Sequence, residues 1–436
     1  MRDFSTPPAK TVFTGSSRVN AMAVEVIVIG GGYVGLHSAY RLHEFGYRVK
    51  VYAGDLGKAA SWGNAGIIHQ GSITAVPEVM GLLKLIRLTL RRDSYISIRP
   101  SFALREIGPR GWLTRYVSEV RAGRIAAKAR VLQRILLESR GLWLEVIKKE
   151  GLDAELNESG SIEVFVSREN FEHESEFRRK ESAELGYRVE VLDGDRCREI
   201  EPLLSKQVVG GLFYPDDLWI NPQKTIYSFA DALRRKGVEV VERFVESVKL
   251  EEGRAQVLTK DGKESPDVVL VSAGAWTRDV LRTAGVRVPV VAGRGYLAVT
   301  EPSQHGISRP VICADQRTIV GQTKAGEFRI SSYFELSSPE ASPDNSKFER
   351  MRRWSVPVLP VLSDLKFKIT WVGSRPCTPD GLPVVGKIRG TENLYVAAGH
   401  CRLGATLSAA TGKLVAEMVE GREPEILREL SPDRFS

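Results

Sequence analysis

Three glycines at a fixed spacing constrain the fold of this chain more than any other feature. They lie in the segment Gly30-Gly-Gly32-Tyr33-Val34-Gly35, between a short β-branched run, Val24–Gly30, and a helical pattern, Val34–Phe45. In such a strand–turn–helix unit the first glycine permits a tight turn, the second lets a pyrophosphate approach the backbone, and the third lets the helix pack on the strand. Free amides at the helix N-terminus then face the phosphates. The pattern predicts that Gly30, Gly32, Tyr33, Val34 and Gly35 bind a dinucleotide.

The ribose end of this predicted site departs from the usual pattern. A second strand, Tyr47–Tyr52, is expected to end in an acidic residue that holds the ribose hydroxyls. Ala53 occupies that position instead. Asp55 follows two residues later and is therefore our candidate for the ribose contact.

The length of 436 residues predicts two domains rather than one. Patterns typical of a nucleotide-binding fold occur in three separate stretches, and segments without those patterns are inserted between them. We therefore expect an α/β fold, in which a Rossmann-like nucleotide-binding domain is interwoven with an α+β substrate-binding domain built on a mostly antiparallel sheet. The first would comprise 22–88, 205–285 and 372–425, the second 89–204 and 286–371, with a disordered leader at 1–21 and a C-terminal tail at 426–436.

Charge, hydropathy and cysteine spacing exclude several classes of protein. The chain has a net charge of +8 and no apolar run long enough to span a bilayer. Its cysteines, Cys197, Cys313, Cys377 and Cys401, show no CxxC spacing, so neither a zinc site nor a disulfide framework is expected. No RNA-binding motif accompanies the positive charge, so a nucleic-acid partner is not expected. The pattern is typical of a protein of the reducing cytosol.

Further motifs follow the glycine pattern in a fixed order. They are Ser61-Trp-Gly-Asn64-Ala65-Gly66, Asp267–Trp276 with its Ala273-Gly274 pair, Arg294-Gly-Tyr296, Gly373-Ser-Arg375-Pro-Cys-Thr-Pro-Asp380-Gly and Gly399-His400-Cys-Arg-Leu403-Gly404-Ala-Thr406. From residue 22 almost to the end, this combination resembles the D-amino acid oxidase (DAO) family of flavoproteins. The likeness is greatest to its D-amino acid dehydrogenases and dye-linked proline dehydrogenases. The resemblance implies that the dinucleotide is FAD.

The resemblance also implies which residues lie around FAD. A helix that begins near Thr406 would direct its N-terminal dipole at N1 and O2 of the flavin, where charge accumulates on reduction. Relatives with covalent flavin attach it at a position that aligns near Gly373, so neither Cys377 nor Cys401 matches and the FAD is expected to be non-covalent. Besides the glycine segment and Asp55, the implied cofactor-binding residues are Ser61, Asn64, Ala65, Gly66, Val245, Ala273, Gly274, Gly373, Arg375, Gly399, His400, Leu403, Gly404 and Thr406.

The substrate pocket requires a cation that binds the substrate carboxylate and an apolar wall that contacts the remainder of the substrate. Arg375 matches the arginine with which the family holds the substrate carboxylate, a task that suits the bidentate guanidinium. Tyr296 and Tyr333 lie on predicted strands and are candidates to close the pocket, although core packing fits each equally well. The implied reaction oxidises a D-amino acid or proline, and the α-hydrogen leaves as hydride to flavin N5.

Two features bear on the electron acceptor and on partners. Sarcosine oxidases of the family place a lysine over the flavin, and Arg329 aligns with it, which favours a dehydrogenase that passes electrons to a quinone or an artificial dye. A basic stretch at 110–134, preceded by another at 84–92, fits either peripheral contact with the inner face of the cell membrane or a solvated helix face. An oxygen-using glycine or sarcosine oxidase is the alternative enzyme. A subunit of a hetero-oligomeric flavoprotein complex is the alternative of another class, and a homodimer also stays open.

Overall fold

The structure is a computed structural model that describes residues 24–71, 94–121 and 125–436. In chain order its strands are β1 Glu25–Ile29, β2 Arg48–Tyr52, β3 Ile67–Ile68, β4 Ile96–Ile98, β5 Ser161–Phe165, β6 Glu190–Asp193, β7 Gly210–Tyr214, β8 Leu218–Trp219, β9 Glu239–Val241, β10 Ser247–Glu251, β11 Arg254–Thr259, β12 Gly262–Glu264, β13 Val268–Val271, β14 Val291–Pro302, β15 Val311–Cys313, β16 Thr318–Gln322, β17 Glu327–Leu336, β18 Phe367–Cys377, β19 Val384–Lys387 and β20 Leu394–Ala398. Its helices are α1 Tyr33–Glu44, α2 Pro100–Glu106, α3 Trp112–Arg121, α4 Ile125–Glu150, α5 Arg168–Leu185, α6 Gly194–Ile200, α7 Pro222–Arg235, α8 Thr277–Thr283, α9 Ser346–Ser355, α10 Gly404–Val419 and α11 Ile426–Leu430. The predicted leader and the basic pattern at 84–92 lie outside the described residues.

The first large sheet has six strands in the order β19-β20-β13-β1-β2-β9. All pairs are parallel except β19 with β20. Strand β1 reads Glu-Val-Ile-Val-Ile and buries four of its five residues, as expected of a parallel strand covered on both faces. Helices α1, α4, α7 and α10 contribute to the core on one face, and the β10–β12 meander and α8 to the core on the other.

Two glycines of the first motif are required by packing within this sheet. A Cβ on Gly35 would lie 1.9 Å from the carbonyl oxygen of Gly30, so helix α1 can approach the strand only without a side chain there. A Cβ on Gly30, whose φ is +124°, would lie 2.2 Å from the carbonyl oxygen of Ser272, after β13. Both glycines therefore set the distances between the elements that surround the site.

The second large sheet has the order β18-β14-β17-β16-β15-β5-β7-β6, with β4 added alongside β17. It is antiparallel except for the pairs β15–β5 and β17–β4. Phe328, Phe348 and Met351 belong to the apolar core between this sheet and helix α9. The predicted fold class, a Rossmann-like domain combined with a substrate domain on a mostly antiparallel sheet, is confirmed.

The predicted domain ranges can be compared with the strands of the two sheets. Every strand of the six-stranded sheet falls within 22–88, 205–285 or 372–425. Strand β7 also falls within 205–285, yet it pairs with β5 and β6 of the other sheet. Strand β18 extends across the proposed boundary at 372, because its antiparallel pairing with β14 continues to Cys377.

The cysteines correct the expectation that the chain has no disulfide. Cys377, at the end of β18, and Cys401, in the turn before α10, form a disulfide across a sequence separation of 24 residues. A backbone bridge between Cys377 and His400 brings the two segments together. The expectation of no disulfide is therefore wrong, because spacing along the chain does not reveal which segments a sheet edge brings into contact. Cys197 and Cys313 are free and buried.

The helices can also be compared with the thickness of a membrane. Across 24–71, 94–121 and 125–436, none combines the length and the apolar character that crossing a bilayer requires.

Candidate active site

A cleft of about 790 Å³ is lined by both large sheets. At one end it contacts the segments that follow β1, β2, β9 and β13, including Gly32, Asp55 and Val245. At the other end it contacts the face of the nine-stranded sheet, including Ser331 and Arg375. The crevice outside the carboxyl ends of parallel strands is the usual ligand site of such a sheet.

Most predicted cofactor-binding residues line this cleft, and four lie behind its wall. The lining residues are Gly30, Gly32, Tyr33, Val34, Asp55, Ser61, Asn64, Ala65, Val245, Ala273, Gly274, Gly373, Arg375, His400, Leu403 and Gly404. Gly35, Gly66, Gly399 and Thr406 are not in the lining. Gly66 and Gly399 have positive φ values of 89° and 82°, so they shape the adjoining turns.

Gly32 forms a cradle that fits a phosphate. It is the N-cap of helix α1, and no side chain caps it. The amide of Tyr33 donates to Ser61 Oγ at 3.0 Å, and the first intrahelical bond, from Leu36 to Gly32, leaves the preceding amides without helical acceptors. Within 4 Å a Cβ on Gly32 would meet only Ser61 Oγ, at 3.3 Å, so it would occupy open space of the cleft. An anion can take that space.

At the ribose end of the cleft, strand β2 is followed by Ala53 and not by an acidic residue, as the sequence indicates. Asp55 lines the cleft, but its carboxylate accepts a hydrogen bond from the amide of Gly57 at 2.9 Å and pairs with Lys58 at 3.4 Å. Ala53 is packed tightly, since a Cβ on Gly31 would lie 2.5 Å from its Cβ. The ribose contact of Asp55 stays a prediction.

Helix α10 presents its N-terminus to the cleft through Leu403, Gly404 and Ala405. Thr406 turns away: its hydroxyl accepts from the amide of His69 at 3.3 Å and donates to Ile67 O at 3.4 Å. Thr406 thus joins the helix to the segment after Asn64 rather than facing the cleft.

His400 holds the loop before this helix. Its Nε2 lies 3.0 Å from Thr411 Oγ1, whereas Nδ1 is buried and has no hydrogen-bond partner among the described residues. Burial lowers the pKa of His400 to about 3, so the ring is neutral near pH 7. His400 is among the residues that line the cleft, but its Nδ1 is buried rather than open to it.

Arg375 is the cation of the site. Its side chain crosses Gly295 of β14, where a Cβ would lie 2.2 Å from Nη2, and Nη1 donates to the carbonyl oxygen of Tyr333 at 2.9 Å. Burial and the nearby Arg402 lower the pKa of Arg375 to about 10, so the guanidinium is still charged at neutral pH. Across 24–71, 94–121 and 125–436, no carboxylate pairs with it. Its other N–H donors are available to a ligand.

The two tyrosines predicted beside the substrate have different positions. Tyr296 is 1% exposed, belongs to the core beneath the sheet and does not line the cleft. Tyr333 borders the cleft, but its ring packs on Tyr296 and Trp354, with centroid distances of 5.4 and 5.1 Å. Its φ of +68° at a bulge in the pairing with β14 directs the carbonyl to Arg375. Tyr296 thus takes the core-packing alternative that the sequence left open for it, because alternation along β14 points it to the core.

Arg329 does not lie in the lining either. It is 2% exposed, and its Nη2 donates to the carbonyl oxygen of Trp62 at 3.1 Å. Burial lowers its pKa to about 10. Lys58, at the nucleotide end, is the one lysine among the described residues that line the cleft.

Sequence reasoning did not find two side-chain pairs in the cleft wall, a histidine–aspartate contact and an arginine–glutamate ion pair. His69 Nδ1 lies 2.9 Å from Asp217 Oδ2, and Arg317 Nη1 lies 3.0 Å from Glu163 Oε1. Their partners are 148 and 154 residues apart, so no local pattern could have revealed them. Within the basic stretch, Lys128 pairs with Glu119 and Asp380.

Comparison with known proteins agrees with this geometry. Residues 25–418 match the DAO family, described as FAD dependent oxidoreductase. The chain is 28% identical over 424 residues to a D-amino-acid oxidase of Bradyrhizobium diazoefficiens, with 94% of this chain and 98% of the relative covered. It is 30% identical over 438 residues to a D-amino acid dehydrogenase of Methylobacterium nodulans, with 94% of this chain and 99% of the relative covered.

Solved structures show the same fold. A glycine oxidase from Bacillus cereus superposes with a TM-score of 0.73 at 20% identity, covering 93% of this chain and 98% of the other. An L-proline dehydrogenase from P. horikoshii superposes with a TM-score of 0.70 at 21% identity, covering 95% of this chain and 98% of the other. The predictions of the family and of FAD as cofactor are confirmed. This chain belongs to the DAO family of FAD-dependent oxidoreductases.

Proposed function

We propose that this protein is an FAD-dependent dehydrogenase that oxidises the bond between the α-carbon and the nitrogen of a D-amino acid or proline. The observation that carries the proposal is Arg375, a guanidinium without a carboxylate partner among the described residues, in the same cleft as the phosphate cradle of Gly32. The names of the relatives, which include both dehydrogenases and an oxidase of D-amino acids, support an amino acid substrate.

The residues of the cleft fit FAD. The amides around Gly32 would hold the pyrophosphate, and the N-terminus of α10 at Gly404 would face the electron-rich edge of the flavin. Bound FAD supplies the hydride acceptor for the reaction. Among the described residues no cysteine is available for a covalent link near Gly373, because Cys377 and Cys401 are bonded to each other and the two free cysteines do not line the cleft.

The side chains would then act by orienting the substrate in the cleft. Arg375 would hold the α-carboxylate through two parallel hydrogen bonds, and the carbonyl of Tyr333 fixes the direction of the guanidinium. Since the Arg375 guanidinium lies on Gly295, the carboxylate would sit directly above the sheet. The α-carbon would project into the cleft between the sheet and the nucleotide-binding strands.

We assign the electron acceptor to a quinone or an artificial dye. Arg329, which we align with the oxygen-activating lysine of sarcosine oxidases, bonds to the backbone of Trp62 and not to groups in the cleft lining. Oxygen as the acceptor is the competing function. Peripheral membrane contact and assembly with other subunits stay predictions.

Anaerobic mixing of the holoenzyme with D- and L-amino acids, proline and sarcosine tests the proposal. At least one α-amino acid should bleach the oxidised flavin spectrum, and a dye should restore it. If no amino acid of either hand reduces the flavin, the amino acid assignment fails. Stoichiometric hydrogen peroxide in air would instead identify an oxidase.

A further inference from the structure

One aromatic side chain of the cleft faces solvent. Phe244, in the loop between β9 and β10, is 69% exposed and lines the cleft near Asp55 and Val245. Single exposed apolar side chains are common on protein surfaces, so exposure alone indicates nothing. Of the exposed large apolar side chains among the described residues, however, only Phe244 and Trp276 line the cleft, and Trp276 is 40% exposed. A ligand at this end of the cleft would therefore cover the Phe244 ring.

The backbone on both sides of Phe244 is held in place by hydrogen bonds. The amide of Gly54 donates to the carbonyl oxygen of Arg243 at 3.0 Å, and the amide of Glu246 donates to the carbonyl oxygen of Leu258 at 2.9 Å. The first bond ties the loop to the segment after β2, and the second ties it to β11. A segment that is already ordered loses little conformational entropy when a ligand covers its side chain.

Gly54 makes room for the ring. Its φ is +65°, and a Cβ on it would lie 2.9 Å from Cε1 and 3.2 Å from Cδ1 of Phe244. The ring therefore lies directly on the chain that continues from β2 past Ala53, the position at which an acidic residue is expected to hold the ribose. An aromatic side chain is thus present at the same strand end at which the acid is missing.

The order of strands in the six-stranded sheet identifies the ligand group at this end. The cradle at Gly32 follows β1, with β2 and β9 on one side of β1 and β13 and β20 on the other. Helix α10, which follows β20, faces the flavin, so a pyrophosphate at Gly32 directs the adenosine past the ends of β2 and β9. Phe244 lies between one and two strand spacings from β1, about 5–10 Å at ~4.8 Å per strand, a distance that one nucleoside spans.

We propose that Phe244 stacks on the adenine of FAD and anchors the adenosine end of the cofactor in place of the acid that Ala53 replaces. The inference goes beyond the proposed function, since it concerns the cofactor and not the substrate. Every base has a π face, so stacking needs no charged partner. The stack also does not depend on Asp55, whose carboxylate accepts from the amide of Gly57 and pairs with Lys58.

ADP is the probe that isolates this end of the site. It carries the adenine and the pyrophosphate of FAD but no flavin, so it should occupy the Gly32 cradle, cover the Phe244 ring and leave the Arg375 end open. ADP therefore separates the adenine contact from every contact with the flavin. A change at Phe244 should affect ADP and FAD by the same factor.

The test measures nucleotide binding by the full-length chain. FAD release from the holoprotein on dilution is followed by the rise in flavin fluorescence, and the Kd values of FAD and ADP are measured by calorimetric titration of the flavin-depleted chain. Phe244→Ala should raise both Kd values by about 5- to 150-fold, the range for one base–aromatic stack. FAD release should accelerate, because most losses of affinity occur in the dissociation rate.

Further variants distinguish stacking from apolar contact and from folding. Phe244→Tyr keeps the ring and should keep most of the affinity, whereas Phe244→Leu keeps only apolar area and should fall between the wild type and Phe244→Ala. Because the ring is exposed, the melting temperature of the flavin-depleted chain should be the same in all of them. The matched control is Phe177→Ala, which removes a 45% exposed ring on α5 outside the cleft and should leave both Kd values unchanged.

Each outcome supports or overturns the stack. Unchanged FAD affinity in Phe244→Ala, loss of FAD affinity without loss of ADP affinity, no ADP binding by the wild type, or a lower melting temperature of the flavin-depleted variant overturns it. These results leave amino acid oxidation intact, because the stack concerns only the adenosine end. Failure of every amino acid to reduce the flavin would instead remove the proposed function and leave the stack.

Discussion

At the scale of single residues, the chemistry proposed here depends on a guanidinium that lies on a glycine. Removing one partner of a desolvated charge pair costs about 3–5 kcal/mol. Arg375→Ala should therefore lower kcat/KM for an amino acid by about two to four orders of magnitude, at about 1.4 kcal/mol per tenfold. Arg375→Lys should recover only part of the loss, because an ammonium lacks the planar fork.

A control substrate distinguishes binding from folding in this experiment. An amine without a carboxylate should lose much less activity in Arg375→Ala, and flavin content should stay near that of the wild type. Equal losses for both substrates would mean that Arg375 supports the fold.

Gly32 provides a prediction about the cofactor at the same scale. A β-branched side chain there would fill the open space of the cradle, where its Cβ would meet only Ser61 Oγ within 4 Å. Gly32→Val should therefore abolish FAD binding while the apoprotein folds. Flavin absorbance per chain and far-UV circular dichroism measure the two effects. In the control Gly141→Ala, a Cβ meets nothing within 4 Å, and flavin content should not change. Retained FAD in Gly32→Val would move the pyrophosphate site elsewhere.

At the scale of secondary-structure elements, the disulfide joins β18, which carries Arg375, to the turn before α10. A cross-link over a sequence separation of 24 residues restricts the unfolded chain and contributes about 3–4 kcal/mol. Reductant should therefore lower the melting temperature of the wild type, and Cys377→Ser/Cys401→Ser should melt at the lower temperature with or without reductant. The denatured, unreduced protein should titrate two thiols, Cys197 and Cys313. Four thiols would show that the disulfide does not form.

The elements also show how far the sequence alone determines the site. Strand β1, its glycines and helix α1 were predictable because the turn, the helix start and the phosphate cradle all arise within about a dozen residues. The core position of Tyr296 could not be predicted, because the direction of its side chain depends on which face of β14 is buried. The pairs His69–Asp217 and Arg317–Glu163 depend on the order of strands in two sheets, and that order is not encoded in any local pattern.

At the scale of the whole molecule, two buried histidines make the stability depend on pH. His37 is fully buried between Trp143 and Phe229, and neither ring nitrogen has a hydrogen-bond partner among the described residues. Burial lowers the pKa of His37 well below its usual value, and that of His400 to about 3. The unfolded chain binds a proton at each histidine near pH 6.5. The folded chain does not, so protons favour unfolding below that pH.

The sign and size of the effect follow from this difference. Stability from these groups is fully present above about pH 6.5, and it falls by about 1.4 kcal/mol per pH unit for each histidine as the pH drops toward the folded pKa. Between pH 6.5 and 5 the two together should cost about 3 kcal/mol. Denaturant unfolding of the holoprotein at half-unit steps from pH 7.5 to 5 measures the slope.

A variant assigns half of that slope to one residue. His37→Phe keeps an aromatic ring against Trp143 and Phe229 and removes the titrating group, so the slope should fall by about 1.4 kcal/mol per pH unit. It also removes two buried nitrogens without partners, so stability at pH 7.5 should not decrease through lost hydrogen bonds. The exposed His173→Gln serves as the matched control. An identical slope in His37→Phe and the wild type would mean that His37 is protonated in the folded protein or reaches water.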